Sequence, residues 1–213
     1  SIQSKSSKIE GERTRLFAEM SHELRTPLTA VQGFAEAIRD GMAEDKALQN
    51  KYLDMICTQT YHITRLVDDI LSLSRLESGD IAVEKLPLDL AALAQGVVMS
   101  MEGIAKINNS NILFMKKLNK SVVLGDVDRM EQIIRNLLKN AINATGNGSI
   151  NVIIETYNGE VQHTIKDNGI GISPDELPHI WDRFYKSDKS RTSKVSTGLG
   201  LSIVRSILTQ LGE

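Results

Sequence analysis

The chain has one cysteine, Cys57, in 213 residues. One cysteine excludes an internal disulfide and a cysteine-only metal site. Its place in a helical pattern predicts a small buried or half-buried residue. Aromatics make up only 4%, which suits long helices packed through aliphatic side chains. Charge of one sign is also missing: 25 Lys and Arg stand against 27 Asp and Glu. That balance gives no electrostatic case for nucleic acid. No stretch approaches the ~20 apolar residues that span a bilayer, and no signal peptide is visible. A Walker-type GxxxxGK[ST] loop is absent as well. The first residues, Ser1 to Arg15, are polar and lack a start methionine. They read as a cut inside a connecting helix of a longer chain. Against these absences, 41% hydrophobic residues are ordinary for a protein with a core.

Phe17, Met20, Leu24, Leu28, Val31 and Ile38 form a helical stripe. At about 100° per residue, His22 points away from it. A lone surface histidine is usually only solvated. Three neighbours argue for more. Glu23 adjoins it, and a carboxylate on one ring nitrogen fixes the tautomer and makes the other more nucleophilic. Thr26 lies one turn on, on the same outer face. Pro27 removes a backbone N–H and is expected to bend or loosen the helix there.

Two long helices are predicted, Ser7–Asp40 and Lys46–Ser78, with a turn at Asp40–Asp45 and Gly41 as C-cap. The second carries Tyr52, Ile56, Ile63, Leu66, Ile70 and Leu73 at coiled-coil spacing, and Glu77-Ser78-Gly79-Asp80 stops it. Such a hairpin has little core of its own, so pairing with a second copy into a four-helix bundle predicts a homodimer. The pattern changes between Gly79 and Leu86, giving domains of 1–80 and 86–213. In the second, Leu86–Leu90 is read as entering a helix over Leu90–Ile104. Short β runs fall at Ile112–Met115, Val122–Leu124, Ile150–Thr156 and Val161–Lys166. Asp126 is the expected N-cap of a helix to Ala144, and a last helix runs from Leu199 to Leu211. Mixed short strands and helices predict an α+β sandwich, with helices on one face of a sheet.

The helix over 126–144 carries Asn136, Asn140 and Asn143 on one face. Asparagine is a poor mid-helix residue, so this stripe is read as a ligand surface rather than a merely solvated face. An amide oxygen suits Mg²⁺. Asp167-Asn168-Gly169-Ile170-Gly171 follows a strand. Its glycines let the backbone approach a flat or phosphorylated ligand, and Asp167 can accept from an exocyclic amine. A strand-end turn alone would look the same. Gly198-Leu199-Gly200 opens the last helix, where free N–H groups favour phosphate. Lys186 to Thr197, without apolar periodicity, is expected to be a mobile loop over the pocket.

Together these segments resemble the HisKA-type sensor histidine kinases of two-component signalling. Phe17-Ala18-Glu19-Met20-Ser21-His22-Glu23-Leu24-Arg25-Thr26-Pro27-Leu28 resembles the family's H box, and Asn136-Leu137-Leu138-Lys139-Asn140-Ala141 its N box. Asp167-Asn168-Gly169-Ile170-Gly171 resembles the G1 box. Trp181-Asp182-Arg183-Phe184-Tyr185 resembles the F box, and Thr197-Gly198-Leu199-Gly200-Leu201 the G2 box. All five stand in the family order.

The resemblance implies a helical hairpin followed by an ATP-binding domain of the GHKL type, with further strands after Glu213. It implies that His22 accepts the γ-phosphoryl group of ATP and that Glu23 is the general base or orienter. Asn140 would bind Mg²⁺, with Asn136 supporting it and Asn143 on the same face. Asp167 would meet the adenine amine. Gly169, Gly171, Gly198, Leu199 and Gly200 would wrap the nucleotide. Phe184 and Tyr185 would anchor the lid, with Lys186 where the family commonly has arginine. A response regulator would then receive the phosphoryl group on an aspartate. Glu23-Leu24-Arg25-Thr26 resembles the ExxT pattern of members that dephosphorylate their regulator, which gives Thr26 the role of positioning water. The resemblance also places the chain on the cytoplasmic side of a bacterial membrane, reached only through a sensor region absent from it. The alternative is a catalytically weak dimeric scaffold that binds a regulator.

Overall fold

The computed structural model describes residues 2–78, 83–118, 120–187 and 196–212. The backbone divides into two compact units, one essentially Ser1–Ser72, the other beginning at Leu73.

The first unit is a hairpin of α1 (Ile2–Arg39) and most of α2 (Lys46–Ser78), whose last turns from Leu73 on belong to the second unit. α1 ends in a Schellman closure: Gly41 N donates to Ile38 O at 3.2 Å and Met42 N to Ala37 O at 2.9 Å. α2 starts where Asp45 caps it, its carboxylate accepting from Leu48 N at 2.7 Å. Across the turn the Phe34 and Tyr52 rings meet at 5.3 Å. The hairpin buries little of its own stripe. Leu66 and Ile70 are buried, whereas Phe17, Leu28, Leu53 and Leu71 are at least half exposed. Cys57 is exposed, contrary to the expectation of burial. It follows Ile56 by one residue and so stands about 100° off the apolar seam. α1 continues as helix through Pro27; the proline removes the amide that would bond Glu23 C=O, yet ends nothing.

The second unit follows a two-layer plan. β1 (Leu86–Asp89) pairs antiparallel with β3 (Val122–Gly125). β2 (Asn111–Lys116), β4 (Ser149–Tyr157) and β5 (Glu160–Asp167) form a mixed sheet in the order β2-β4-β5. β2 and β4 run parallel, joined by a crossover through α4 (Val127–Ala144), and β5 returns antiparallel. α3 (Leu90–Ile107) and α4 pack on one face of this sheet. Ile150, Val152 and Ile154 of β4 alternate inward against Ala94, Val98, Leu138 and Ile142 of the helices. α5 (Gly200–Leu211) buries Ile203, Val204 and Ile207.

Leu86–Leu90 corrects the reading as a helix entry. Leu88 pairs with Val123 in β1, and Asp89 ends the strand as N-cap of α3. Its carboxylate accepts from Ala91 N at 3.0 Å and Ala92 N at 3.2 Å. The Ser121 hydroxyl first, then these amides, hold its carboxyl below the ordinary value. Asp126 caps α4 as expected, accepting from Arg129 N at 3.2 Å.

α3 is long and apolar enough, by composition alone, to cross a membrane. Seven of its residues, from Leu90 to Ala105, are instead buried in this unit. An apolar core helix passes the same compositional test as a span.

Candidate functional site

In the hairpin, α1 presents His22 with 77% of its side chain exposed. Nδ1 stands 3.7 Å from Glu23 Oε1. That is ion-pair range, longer than the hydrogen bond expected from the sequence. Adjacent residues on a helix point about 100° apart, so their side chains meet only at full reach. Nδ1 faces the carboxylate, and Nε2 is the nitrogen not committed to it. Thr26 Oγ1 lies one turn on and donates to His22 O at 3.5 Å, a long bond that a polar partner can replace.

In the second unit, α4 organises the other predicted residues. Asn136 and Asn140 are half-buried and Asn143 is exposed. On the opposite side of the helix Ile134, Leu138 and Ala141 are buried, each large one stabilising the helix by about 1.5–3 kcal/mol. Burial of that face presents the asparagines on the other. The start of α5 comes up to them: a Cβ built on Gly200 would sit 3.8 Å from Asn136 Oδ1 and 3.9 Å from Asn140 Oδ1. Two amide oxygens thus flank one helix N-terminus. Hard oxygen donors of this kind fit Mg²⁺, and the free N–H groups of α5 fit phosphate. Among the described residues, no group of three or more His, Cys, Asp or Glu is placed to hold a metal.

The turn after β5 is stapled to the other end of α4. Ile170 N donates to Ala144 O at 3.1 Å. Asp167 pairs with Ile150, on the core-facing side of the sheet. One of its oxygens accepts from Gly169 N at 2.9 Å, which leaves the second to meet a donor. Asn168, to which no role attached in the sequence, accepts from Ser149 N at 2.9 Å and locks the turn to β4. α4 therefore carries Asp167–Gly169 at its C-terminal end and Gly200 along its side.

Phe184 and Gly198 are the next pair. Gly198 has φ 74°, and a Cβ there would lie 2.7–2.9 Å from the backbone C, Cα and O of Phe184. Only glycine fits both demands. Phe184 itself holds φ 59°, unusual for a bulky residue. Tyr185 and Lys186 are half-buried beside it, and Leu199 is fully buried. The expected mobile loop falls mainly on residues 188–195, outside the described residues.

His179 and Asp182, to which no individual role attached in the sequence, form a further pair. His179 Nδ1 lies 3.1 Å from Asp182 Oδ2, and its ring lies 5.8 Å from that of Tyr185. The i,i+3 spacing was the available signal. Nearby, Arg183 donates to Glu77 in the last turn of α2.

Known proteins repeat this plan. Residues 12–79 match the His Kinase A (phospho-acceptor) domain. Residues 125–213 match the histidine kinase-, DNA gyrase B-, and HSP90-like ATPase family. Sensor histidine kinase YclK of Bacillus subtilis is 36% identical over 205 residues, which cover 94% of this chain and 42% of that protein. The chain thus spans less than half of that relative. The solved Acinetobacter baumannii histidine kinase AdeS has a TM-score of 0.68 at 27% identity, covering 89% of this chain and 86% of that one. Histidine kinase ThkA, solved in complex with response regulator protein TrrA, has a TM-score of 0.69 at 24% identity. That match covers 84% of this chain and 53% of ThkA, and is a likeness of fold.

Proposed function

Because the chain belongs to the HisKA-type sensor histidine kinases, we propose that it is an ATP-dependent protein-histidine kinase acting on its own His22. The observation that carries this reading is a division of labour. One unit presents an exposed histidine beside a carboxylate. The other sets two amide oxygens against a helix N-terminus. Neither arrangement is useful without the other.

In the proposed step, Nε2 of His22 attacks the γ-phosphorus of ATP. A P–N bond forms, the bond to the β–γ bridging oxygen breaks, and ADP leaves with that electron pair. Glu23, facing Nδ1, holds the ring and stabilises the positive charge that develops on it. Asn140, supported by Asn136, would hold Mg²⁺, which when bound neutralises charge on the triphosphate. Asp167 would accept from the adenine amine through its second oxygen. Gly169, Gly171, Gly198 and Gly200 would line the nucleotide, with the α5 N–H groups on its phosphates. Most of the rate enhancement in such transfers comes from positioning and charge neutralisation.

A second copy of the chain is the proposed partner of the hairpin. Phe17, Leu28, Leu53 and Leu71 are left at least half exposed in one copy, and a four-helix bundle would cover such side chains. A response regulator is the proposed recipient of the phosphoryl group, since a phosphohistidine exposed on a helix can be reached by a carboxylate nucleophile. Thr26, one turn from His22, is proposed to position water when the regulator is dephosphorylated. The proposed location is the cytoplasmic side of the membrane.

The test uses γ-labelled ATP with Mg²⁺. The expected product is an acid-labile, base-stable label that disappears in His22→Gln. A label that survives this substitution rejects the reading, and wild-type protein that binds ATP without labelling favours a scaffold.

A further inference from the structure

Residues 173–185, which follow β5, are held by a ladder of short-range bonds that centres on His179. Ser173 starts it, its N and Oγ donating to Glu176 Oε2 at 3.1 and 2.8 Å. His179 N donates to Glu176 O at 2.9 Å, and Asp182 N to His179 O at 2.9 Å. The His179 side chain then closes on Asp182, with Nδ1 3.1 Å from Oδ2. With a carboxylate accepting, Nδ1 carries the proton. The same ring lies against Tyr185, at 5.8 Å and tilted by 32°. His179 therefore grips the residues on both sides of Phe184.

Phe184 needs that grip. Its φ of 59° is a conformation that a bulky side chain avoids unless its surroundings impose it. The strained backbone is also the surface on which Gly198 sits, so closely that a Cβ there would lie 2.7 Å from Phe184 C. Two residues further on, Gly200 faces Asn136 and Asn140. Displacement of Phe184 is thus passed through Gly198 to the start of α5.

We propose that His179 is a positioning residue for nucleotide binding: its bond to Asp182 and its contact with Tyr185 hold Phe184 in the left-handed conformation on which Gly198 and the N-terminus of α5 rest. It touches no reacting atom. The inference depends on the reading of this unit as an ATP site. Both partners are more than half exposed, at 58% and 54% of their side chains, so the effect is modest. An exposed pair of this kind is worth up to about fivefold in an equilibrium constant.

The experiment measures the Kd of a fluorescent ATP analogue with Mg²⁺, the KM and kcat of labelling, and the urea midpoint. It compares wild type, His179→Ala, His179→Asn, Asp182→Ala and the double alanine variant. His179→Ala should raise Kd and KM together by about threefold to fivefold, with kcat at saturating ATP and the urea midpoint unchanged. His179→Asn, which keeps an N–H near the Nδ1 position but loses the ring contact with Tyr185, should bring Kd most of the way back to wild type. The double variant should be no worse than His179→Ala alone. Equal Kd in wild type and His179→Ala overturns the proposal alone, as does a lowered midpoint without rescue by asparagine. Wild-type protein that binds no ATP overturns the ATP reading and this inference with it.

Discussion

Replacing Gly198 by alanine should do more damage than the same change at Gly171, and the structure supplies the difference. Both glycines have positive φ, 74° and 67°. A left-handed conformation costs a residue with a Cβ about 1–2 kcal/mol, and that term is common to the two. At Gly171 nothing lies within 4 Å of the new methyl group, so the common term is all. At Gly198 the methyl would stand 2.7, 2.8 and 2.9 Å from three backbone atoms of Phe184. Backbone cannot rotate away like a side-chain tip, so an overpacking cost of about 1–3 kcal/mol is added. The total for Gly198→Ala is about 2–5 kcal/mol. This loss divides between folding and nucleotide binding, because Phe184 or the start of α5 must shift. The assay is urea denaturation together with titration of a fluorescent ATP analogue, with the two losses summed for each variant. Gly198→Ala should exceed Gly171→Ala by about 1–3 kcal/mol. Summed losses that agree within about 0.5 kcal/mol would refute the claimed backbone contact.

Other perturbations separate the remaining elements. His163 sits on the core-facing side of β5 opposite Ile154, with Nε2 buried and unpartnered, and burial lowers its pKa from 6.5 to about 4. The folded state therefore favours the neutral ring. Its contribution is complete above pH 6.5 and is lost as pH falls toward 4, by ~3 kcal/mol in all. Urea midpoints at pH 7 and pH 4.5 should show that slope in wild type and lack it in His163→Leu. Asn140→Ala should leave those midpoints nearly unchanged while lowering Mg²⁺-dependent labelling. Loss of even an outer partner of a metal ligand costs about 10–100-fold, so a ligand should cost at least as much. Thr26→Ala should abolish dephosphorylation of the regulator and spare labelling of His22; loss of both activities, or of neither, would reject the role of Thr26.

Elements set by local pattern could be read from the residues. The seam from Tyr52 to Leu73 gives α2 its length, and Lys46–Ser78 is the observed helix. Alternation of Ile150, Val152 and Ile154 gives β4, and Asp126 marks the start of α4. β1 escaped because it has four residues, one a proline, and its pairing partner lies more than thirty residues away. In the site, the asparagine stripe and both glycine turns were visible as residue types at fixed spacing. Their arrangement was not. The approach of Gly200 to Asn136 and Asn140, and the junction of Ile170 with Ala144, join distant segments. The left-handed Phe184 is a conformation that its own side chain opposes, so no local rule foretells it. The exposure of Cys57 follows from its angle off the seam, which the residue type alone does not encode.

The central claim is that one particular imidazole receives phosphate from ATP held by the other unit. The chain offers four histidines, His22, His62, His163 and His179. The most direct measurement incubates the protein with ATP and Mg²⁺, digests it at neutral to basic pH, and locates phosphohistidine by mass spectrometry. The account predicts phosphate on His22 alone, and none when Asn140 is replaced by alanine. Phosphate on any of the other three, or on His22 undiminished without Asn140, would contradict it.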